Sequence, residues 1–456
     1  MELLVTLDPA DRVPLHAQLE RALREDVRAG RLRPGARLPS TRRLAAQLGV
    51  SRGVVVEAYA QLHAEGYLAT RRGSGTHVAH AAAAPAAARG DAPAPRPRYT
   101  FHPGQPDLSA FPRTAWLAAT RRALHALPDQ DLGYGTVRGP RVLREALAEH
   151  LGRTRGTAAD PQRMLVCSGL IQGFTLAFAA LRDAGATRIA LEDPGWLGHR
   201  TVAAHTGLEA VPIPVDDHGM RVDLLDEARV DAVVVTPAHQ SPMGAVLAPD
   251  RRAALLGWAQ RTGGLIVEDD YDAEYRYDRE PVGALQGLDP DHVLYAGSAS
   301  KILAPALRLG WLVAPLALSR ALVEHKRHAD LGTPLIEQLA LAEFVESGEL
   351  ERHLRRTRRR YRARRDALLD ALARHLPGVR VQGVAAGLHA VVLLPEGTDE
   401  HALVAAAGAR GIEIHGLGDQ RFEPAGGPPG LILGYAAMPE PAIAAAIAEL
   451  AELMPR

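Results

Sequence analysis

A chain of 456 residues, 47% hydrophobic, with 53 basic and 53 acidic side chains, is long enough for two or three domains and carries no formal net charge. That balance excludes a global field drawing it to nucleic acid or membrane, so any such attraction must be local. One cysteine, Cys167, excludes an internal disulfide, and no apolar run is long enough to span a bilayer.

The N-terminus has no basic stretch followed by a long apolar one, so no signal peptide is expected and a cytoplasmic protein follows. Residues 1–78 hold 12 arginines and no lysine against 8 acids. The periodicity there predicts helix, helix, helix, hairpin. Leu15, Leu19, Ala22 and Leu23 form one helical face. "GRLRPGARLP" breaks that helix, and Ser40 is placed to cap a short one running through Gln47. Ser51 is placed to cap the next, where Val55, Ala58, Tyr59 and Leu62 recur at i, i+3, i+4 and i+7. "YLATRRGSGTHV" then reads as two short strands around Arg72, Gly73 and Ser74. Short helices, a tight turn and a basic hairpin are the layout of a winged helix-turn-helix.

Residues 80–98, rich in Ala, Pro and Arg, contain no large apolar side chain and cannot bury a core. They divide an N-terminal domain, 1–79, from a body, 99–456. From residue 160 the body alternates short apolar strands with helices: "MLVCS", "RIALE", "DAVVVTP", "LIVEDD", "HVLYAGS" and "LGWLVAP". That pattern predicts an α/β sheet, mostly parallel, in a large part over about 130–330. Cys167 reads as a buried strand-end thiol. A long basic helix at about 349–375 leads to a smaller α+β part, about 350–456, with strands expected at "HAVVLLP", "IEIHG" and "LILGYA".

Polar groups gather at the strand ends, where open α/β sheets bind ligands. Ser168 and Gly169 open a helix whose free N–H groups suit a phosphate. Asp269, Asp270 and Tyr271 end another strand. "SASKILAPALRLG" places Ser298, Ser300 and Arg308 near Lys301, so that they could share a phosphate. Of the 53 basic residues only Lys301 and Lys326 are lysines. Arginine replaces lysine as a surface charge but not as an amine nucleophile, because its guanidinium stays protonated. A lysine amine, a phosphate cradle, an acid and a tyrosine together point to pyridoxal 5'-phosphate, whose aldehyde a lysine takes as a Schiff base.

The segment "LPSTRRLAAQLGVSRGVVVEAYAQLHAEGYL…GSGTHV" closely resembles the GntR-type winged-helix domain over about residues 12–79. From about residue 100 the chain resembles fold-type I aminotransferases. Joined, with "LGYGTVRGPRVLREALAEHL", "VTPAHQSPMG", "IVEDDYDAEYRY" and "SASKILAPALRLGWLV", it resembles MocR/GabR-type transcription regulators. The resemblance implies DNA contacts from Arg42, Ser51, Arg52, Arg72 and Gly73. It implies that Lys301 holds the cofactor, Asp269 its pyridinium nitrogen and Tyr271 its ring hydroxyl. Ser298, Arg308, Gly169 and Leu170 are expected at the phosphate and Trp196 beside the ring. Gln240 or His239 is expected near the ring oxygen, and Tyr134 at the phosphate of a neighbouring subunit in a homodimer. The GABA-responsive member's carboxylate-binding arginine is missing: Pro428 or Pro429 stands in its place, with Arg200 or His199 as possible substitutes and the cofactor itself as a possible signal. The function implied is a DNA-binding regulator sensing pyridoxal phosphate or an amine, the alternative an active aminotransferase with an accessory head.

Overall fold

The predicted helical stripe organises the first unit. Val55, Ala58, Tyr59 and Leu62 are all buried on helix α3 (Arg52–Ala64), against α1 (Leu15–Arg28) and α2 (Thr41–Leu48). These positions belong to a computed structural model that describes residues 5–71, 75–79, 97–272, 274–277 and 282–454. The chain divides into two units, 1–95 and 96–456, a division falling within the 80–98 segment. In the first, α2 ends on Gly49, whose φ of 65° is the left-handed geometry that closes a helix. The buried Tyr59 hydroxyl donates to the Pro39 carbonyl at 3.0 Å and ties α3 to the turn before α2. Strands β1 (Leu68–Arg71) and β2 (Gly75–Val78) pair antiparallel, with Leu68 opposite Val78, and complete a winged helix-turn-helix. Ser40 caps α2 by accepting the Arg43 N–H at 3.3 Å. Ser51 occupies the cap position of α3 but its hydroxyl makes no capping bond.

The second unit begins with the short β3 (Tyr99–Thr100) and then builds an eight-stranded sheet. Its strands are β4 (Met164–Cys167), β5 (Arg188–Asp193), β6 (Glu209–Asp216), β7 (Gly219–Met220), β8 (Ala232–Val235), β9 (Leu265–Asp270), β10 (Val293–Ser298) and β11 (Gly310–Val313). They lie in the order β4-β11-β10-β9-β8-β5-β6-β7. The run β10-β9-β8-β5-β6 is parallel; β11 is antiparallel to both neighbours, and β7 to β6. Helices cover both faces, so the central strands β8, β9 and β10 are buried along their whole length rather than alternating. Sequence reading missed β6, because Pro212 and Pro214 argue against a strand. It tolerates them near the sheet edge, where its outer partner β7 has only two residues.

The smaller part packs β12 (Arg380–Gln382), β13 (His389–Leu393), β15 (His415–Gly416) and β16 (Gly430–Gly434) as an antiparallel sheet ordered β12-β13-β16-β15. Between them lies β14 (Ile412–Glu413), which pairs with β3 instead. The strand expected at 412–416 is thus split at Ile414 between two partners. The long helix spans Glu349–His375 and packs on Glu440–Ala451. Among the described residues no helix is long and apolar enough to cross a membrane.

Candidate functional site

The two-residue period of a strand decides which of two neighbouring acids reaches the site. On β9, Leu265 and Val267 join the core around Phe174 and Phe178, whereas Ile266 joins the one around Trp258. Asp269 continues the first parity and Asp270 the second. They therefore leave β9 on opposite faces and are not a metal-binding pair. Asp270 accepts a two-pronged ion pair from Arg155, at 2.7 and 3.1 Å, and the Tyr295 hydroxyl at 2.7 Å. All three are buried, and this knot is structural.

Asp269 faces a cavity of about 470 Å³, a size usual for small-molecule sites. One of its oxygens, Oδ2, lies 3.0 Å from His199 Nε2; the other, Oδ1, is buried with no partner among the described residues. Burial raises the Asp269 pKa, and the bond to His199 opposes that rise. His199 is itself wedged edge-on against Phe174 and Trp196, ring centroids 4.8 and 5.0 Å away.

The same cavity is lined by Leu170, Trp196, Tyr271, Ser298, Ser300, Lys301 and Arg308. Lys301 sits on the short helix Ala299–Ile302, whose cap Ser298 accepts the Ser300 N–H at 3.0 Å. Its amine makes no hydrogen bond or ion pair among the described residues. Burial lowers its pKa, with Asp272 and then Asp269 pulling the other way. Opposite, the amine and side chain come so near Gly104 that a Cβ there would stand 3.0 Å from Nζ.

At the far end Arg308 adopts φ 50°, unusual for a side-chain-bearing residue. Its Nη2 donates to the Ser168 carbonyl at 2.9 Å. Gly169, φ 85°, opens the helix Leu170–Asp183, and a Cβ on it would lie 2.8 Å from that guanidinium. The glycine supplies both the backbone angle and the room for arginine beside free helix N–H groups.

Tyr271 is fixed by His239, whose Nδ1 lies 3.0 Å from its hydroxyl and 3.0 Å from Asp272. Of the two residues expected near the ring oxygen, His239 is thus beside Tyr271, while Gln240 is turned away. The Gln240 amide nitrogen donates to Glu192, Pro194 and Ser241, and its oxygen accepts from Met243. Gln240 braces a buried turn and does not line the cavity. Tyr134 is 96% exposed and borders a separate groove with Asp330 and Thr333. Pro428 accepts a bond from the buried Arg421 at 2.7 Å; the cavity wall in that region is Ile432. Arg200 is taken up by the Arg421 carbonyl and the Phe422 ring, and His199 by Asp269. Neither replaces the missing arginine. Cys167 is fully buried, which pushes its thiol up to about 12.

His199, His239 and Asp272 form the shell behind the cofactor-type residues, and His389 lines the cavity itself. Each comes from a different segment, so only the fold assembles them. In the head, Arg42, Ser51 and Arg52 are all exposed, and Arg52 Nε lies 3.4 Å from the Thr41 hydroxyl. Arg72 and Gly73 lie outside the described residues.

Residues 15–78 match the gntR family of bacterial regulatory proteins, and residues 103–414 match aminotransferase class I and II. An HTH-type pyridoxine biosynthesis transcriptional regulator of Corynebacterium glutamicum is 35% identical, covering 99% of this chain and 98% of its own. The chain belongs to the MocR-type transcription regulators. In this family a GntR head is joined to an aminotransferase-like body. A probable rhizopine catabolism regulatory protein of Rhizobium meliloti, MocR, is also 35% identical, over 95% of this chain and 92% of its own. The body alone is similar to the multiple substrate aminotransferase of Thermococcus profundus, with 30% identity and a TM-score of 0.72 over 78% of this chain and 90% of that one. The match to MocR-type regulators runs through head and body together, which favours regulation over a free-standing aminotransferase.

Proposed function

We propose that this MocR-type regulator holds pyridoxal 5'-phosphate in the Lys301 cavity and changes its hold on operator DNA when that cofactor, or an amine reacting with it, occupies the site. The observation that carries the reading is the orphaned, buried Asp269 Oδ1 in one cavity with a partnerless lysine amine. A buried carboxylate oxygen without a partner costs free energy, and a ring N–H repays it. The residues therefore fit the group.

When bound, pyridoxal phosphate supplies an aldehyde open to an amine and a pyridinium ring that draws electrons from that carbon. Lys301 offers an amine whose burial favours the neutral, nucleophilic form. Asp269, oriented by His199, accepts the ring N–H and keeps the ring protonated. Tyr271, oriented by His239 and Asp272, donates to the ring oxygen. Trp196 offers the indole face to the ring. Ser298, Ser300, Arg308 and the amides at Gly169 and Leu170 take the phosphate. Tyr134, reaching out of its own subunit, completes the phosphate site of a second copy in a homodimer. In the head, Arg52 at the start of α3 reads base edges or phosphates, while Arg42, Ser51, Arg72 and Gly73 hold the backbone.

The test is binding of the purified protein to DNA upstream of its own gene, with and without pyridoxal phosphate. Binding that changes with the cofactor in wild type, and no longer does in Lys301→Ala, is the expected result. Arg52→Ala should lose DNA and keep the cofactor's absorbance. Operator binding indifferent to the cofactor, and to every amine tried with it, would overturn the sensing role. Steady transamination without specific DNA binding would instead make the protein an enzyme.

A further inference from the structure

The opening of the Lys301 cavity carries a cluster that the cofactor reading leaves unused. His102, Glu413 and His415 each offer one donor atom, and these atoms lie within 4.8 Å of one another. They come from three places: the segment after β3, the end of β14 and the start of β15. The pairing of β3 with β14 sets Thr100 beside Glu413 and carries the chain on to His102. Gly434 on β16 then lets the His102 carbonyl approach so closely that any Cβ would overlap it.

Two of the three side chains have the outer partner that a metal ligand usually has. The Glu413 Oε2 atom accepts the Thr100 hydroxyl at 2.6 Å, which fixes the carboxylate and turns Oε1 toward His415. His102 Nδ1 lies 3.1 Å from the Pro103 carbonyl, so a proton there leaves the Nε2 lone pair available. The Nε2 atom of His415 is buried with no hydrogen-bond partner, 3.7 Å from Glu413 Oε1. In a tetrahedral site with bonds near 2.0–2.1 Å, neighbouring donor atoms stand about 3.3 Å apart. The His415–Glu413 pair, at 3.7 Å, is within a few tenths of an ångström of that spacing, and the widest of the three, at most 4.8 Å, closes by side-chain rotation of the exposed His102. Outer partners that orient the ligands, here Thr100 and Pro103, are a usual part of such sites.

We propose that His102, Glu413 and His415 bind one divalent transition-metal ion of the zinc class, leaving an open position toward the Lys301 cavity. Two histidines and one carboxylate are a ligand set that holds zinc with a vacant fourth place. His102 and His415 both line the cavity. Its other basic lining groups, among the described residues, are the buried His389 and Lys301 and Arg308, the last two of which the cofactor would take up. The ion supplies the positive charge that the opening otherwise lacks, so the open place takes a carboxylate or hydroxyl oxygen of an incoming amine. That last role rests on the regulatory reading; the ion site itself does not.

The experiment uses the untagged full chain, stripped with a chelator and titrated with Zn(II) by calorimetry, with Co(II) absorption as a second readout. Expected is one ion per chain, with visible bands of low-coordinate cobalt. His415→Ala and His102→Ala should each weaken zinc at least tenfold. Thr100→Val, which removes only the orienting hydroxyl, should weaken it about tenfold. Glu413→Gln serves as a conservative variant should the alanine variants fail to fold, and retention of the cofactor's absorbance reports an intact body. Absence of stoichiometric zinc, or zinc bound equally well after both histidines are removed, overturns the proposal. Loss of DNA regulation with zinc binding intact would count against the regulatory reading alone.

Discussion

Burying the Lys301 amine carries a desolvation cost. Its folded pKa lies below the ordinary lysine value, chiefly through burial, so the folded state binds the proton less tightly than the unfolded chain. A lysine shifted this way opposes folding while both states are charged, and the opposition fades as pH rises from the lowered value toward about 10.4. Cofactor-free Lys301→Met should therefore melt at a higher temperature than cofactor-free wild type near neutral pH, and the gap should narrow in alkali. Thermal denaturation of both apo-proteins across pH checks this. Asp269 makes the complementary case. Asp269→Asn keeps the shape but loses the charge, and a charge-assisted bond is worth about 1.5–3 kcal/mol. The expected result is a fall in cofactor affinity of about ten- to a hundredfold, read by absorbance titration. Gln240 behaves differently, because all its polar atoms are spent on the buried turn. Gln240→Ala should destabilise the body by about 1–3 kcal/mol while the cofactor still binds, as denaturant unfolding and absorbance together would show.

Elements account for what could be read from the chain alone. The α3 stripe and the helix Glu349–His375 were legible because helical periodicity survives any tertiary context. Strands β4, β5, β8, β9, β10 and β11 were legible as apolar runs between turns. Strand β6 was hidden by Pro212 and Pro214, and the break at Ile414 by an apolar pattern that cannot say which partner each half will take. In the site, motifs name Lys301, Asp269 and Arg308, which sit in or beside their own strand ends. His239 was named there too, from its motif, whereas His199 was expected in another role and His389 not at all, since these two meet the site only through sheet order. Capping illustrates the limit again. Ser40 and Ser51 look equivalent in sequence, yet only Ser40 makes its cap bond. Ser40→Ala should therefore cost the head about 1 kcal/mol, whereas Ser51→Ala should leave head stability unchanged and weaken DNA binding. Hydrogen exchange across residues 41–64 separates the two outcomes.

At the scale of the whole molecule the regulator is two binding units in one chain, and linkage constrains what either can do to the other. If pyridoxal phosphate changes operator affinity by some factor, operator DNA must change cofactor affinity by the same factor, whatever the structural route. A coupling of about 1–3 kcal/mol, common for such systems, corresponds to a factor of about 5–150. That range lies within reach of a cofactor titration done with and without saturating DNA. The two factors should agree in wild type. In Arg52→Ala the DNA-dependent shift should disappear while cofactor affinity without DNA stays the same, because Arg52 lies in the head. In Lys301→Ala both effects should disappear together. Each lost phosphate contact in the head should also flatten the salt dependence of DNA binding by about one unit of log K against log salt. A cofactor that shifted operator affinity while DNA left cofactor affinity untouched would break the equality. The effect would then have to come from a slow covalent change outside this equilibrium, and Lys301 would not be the sensor.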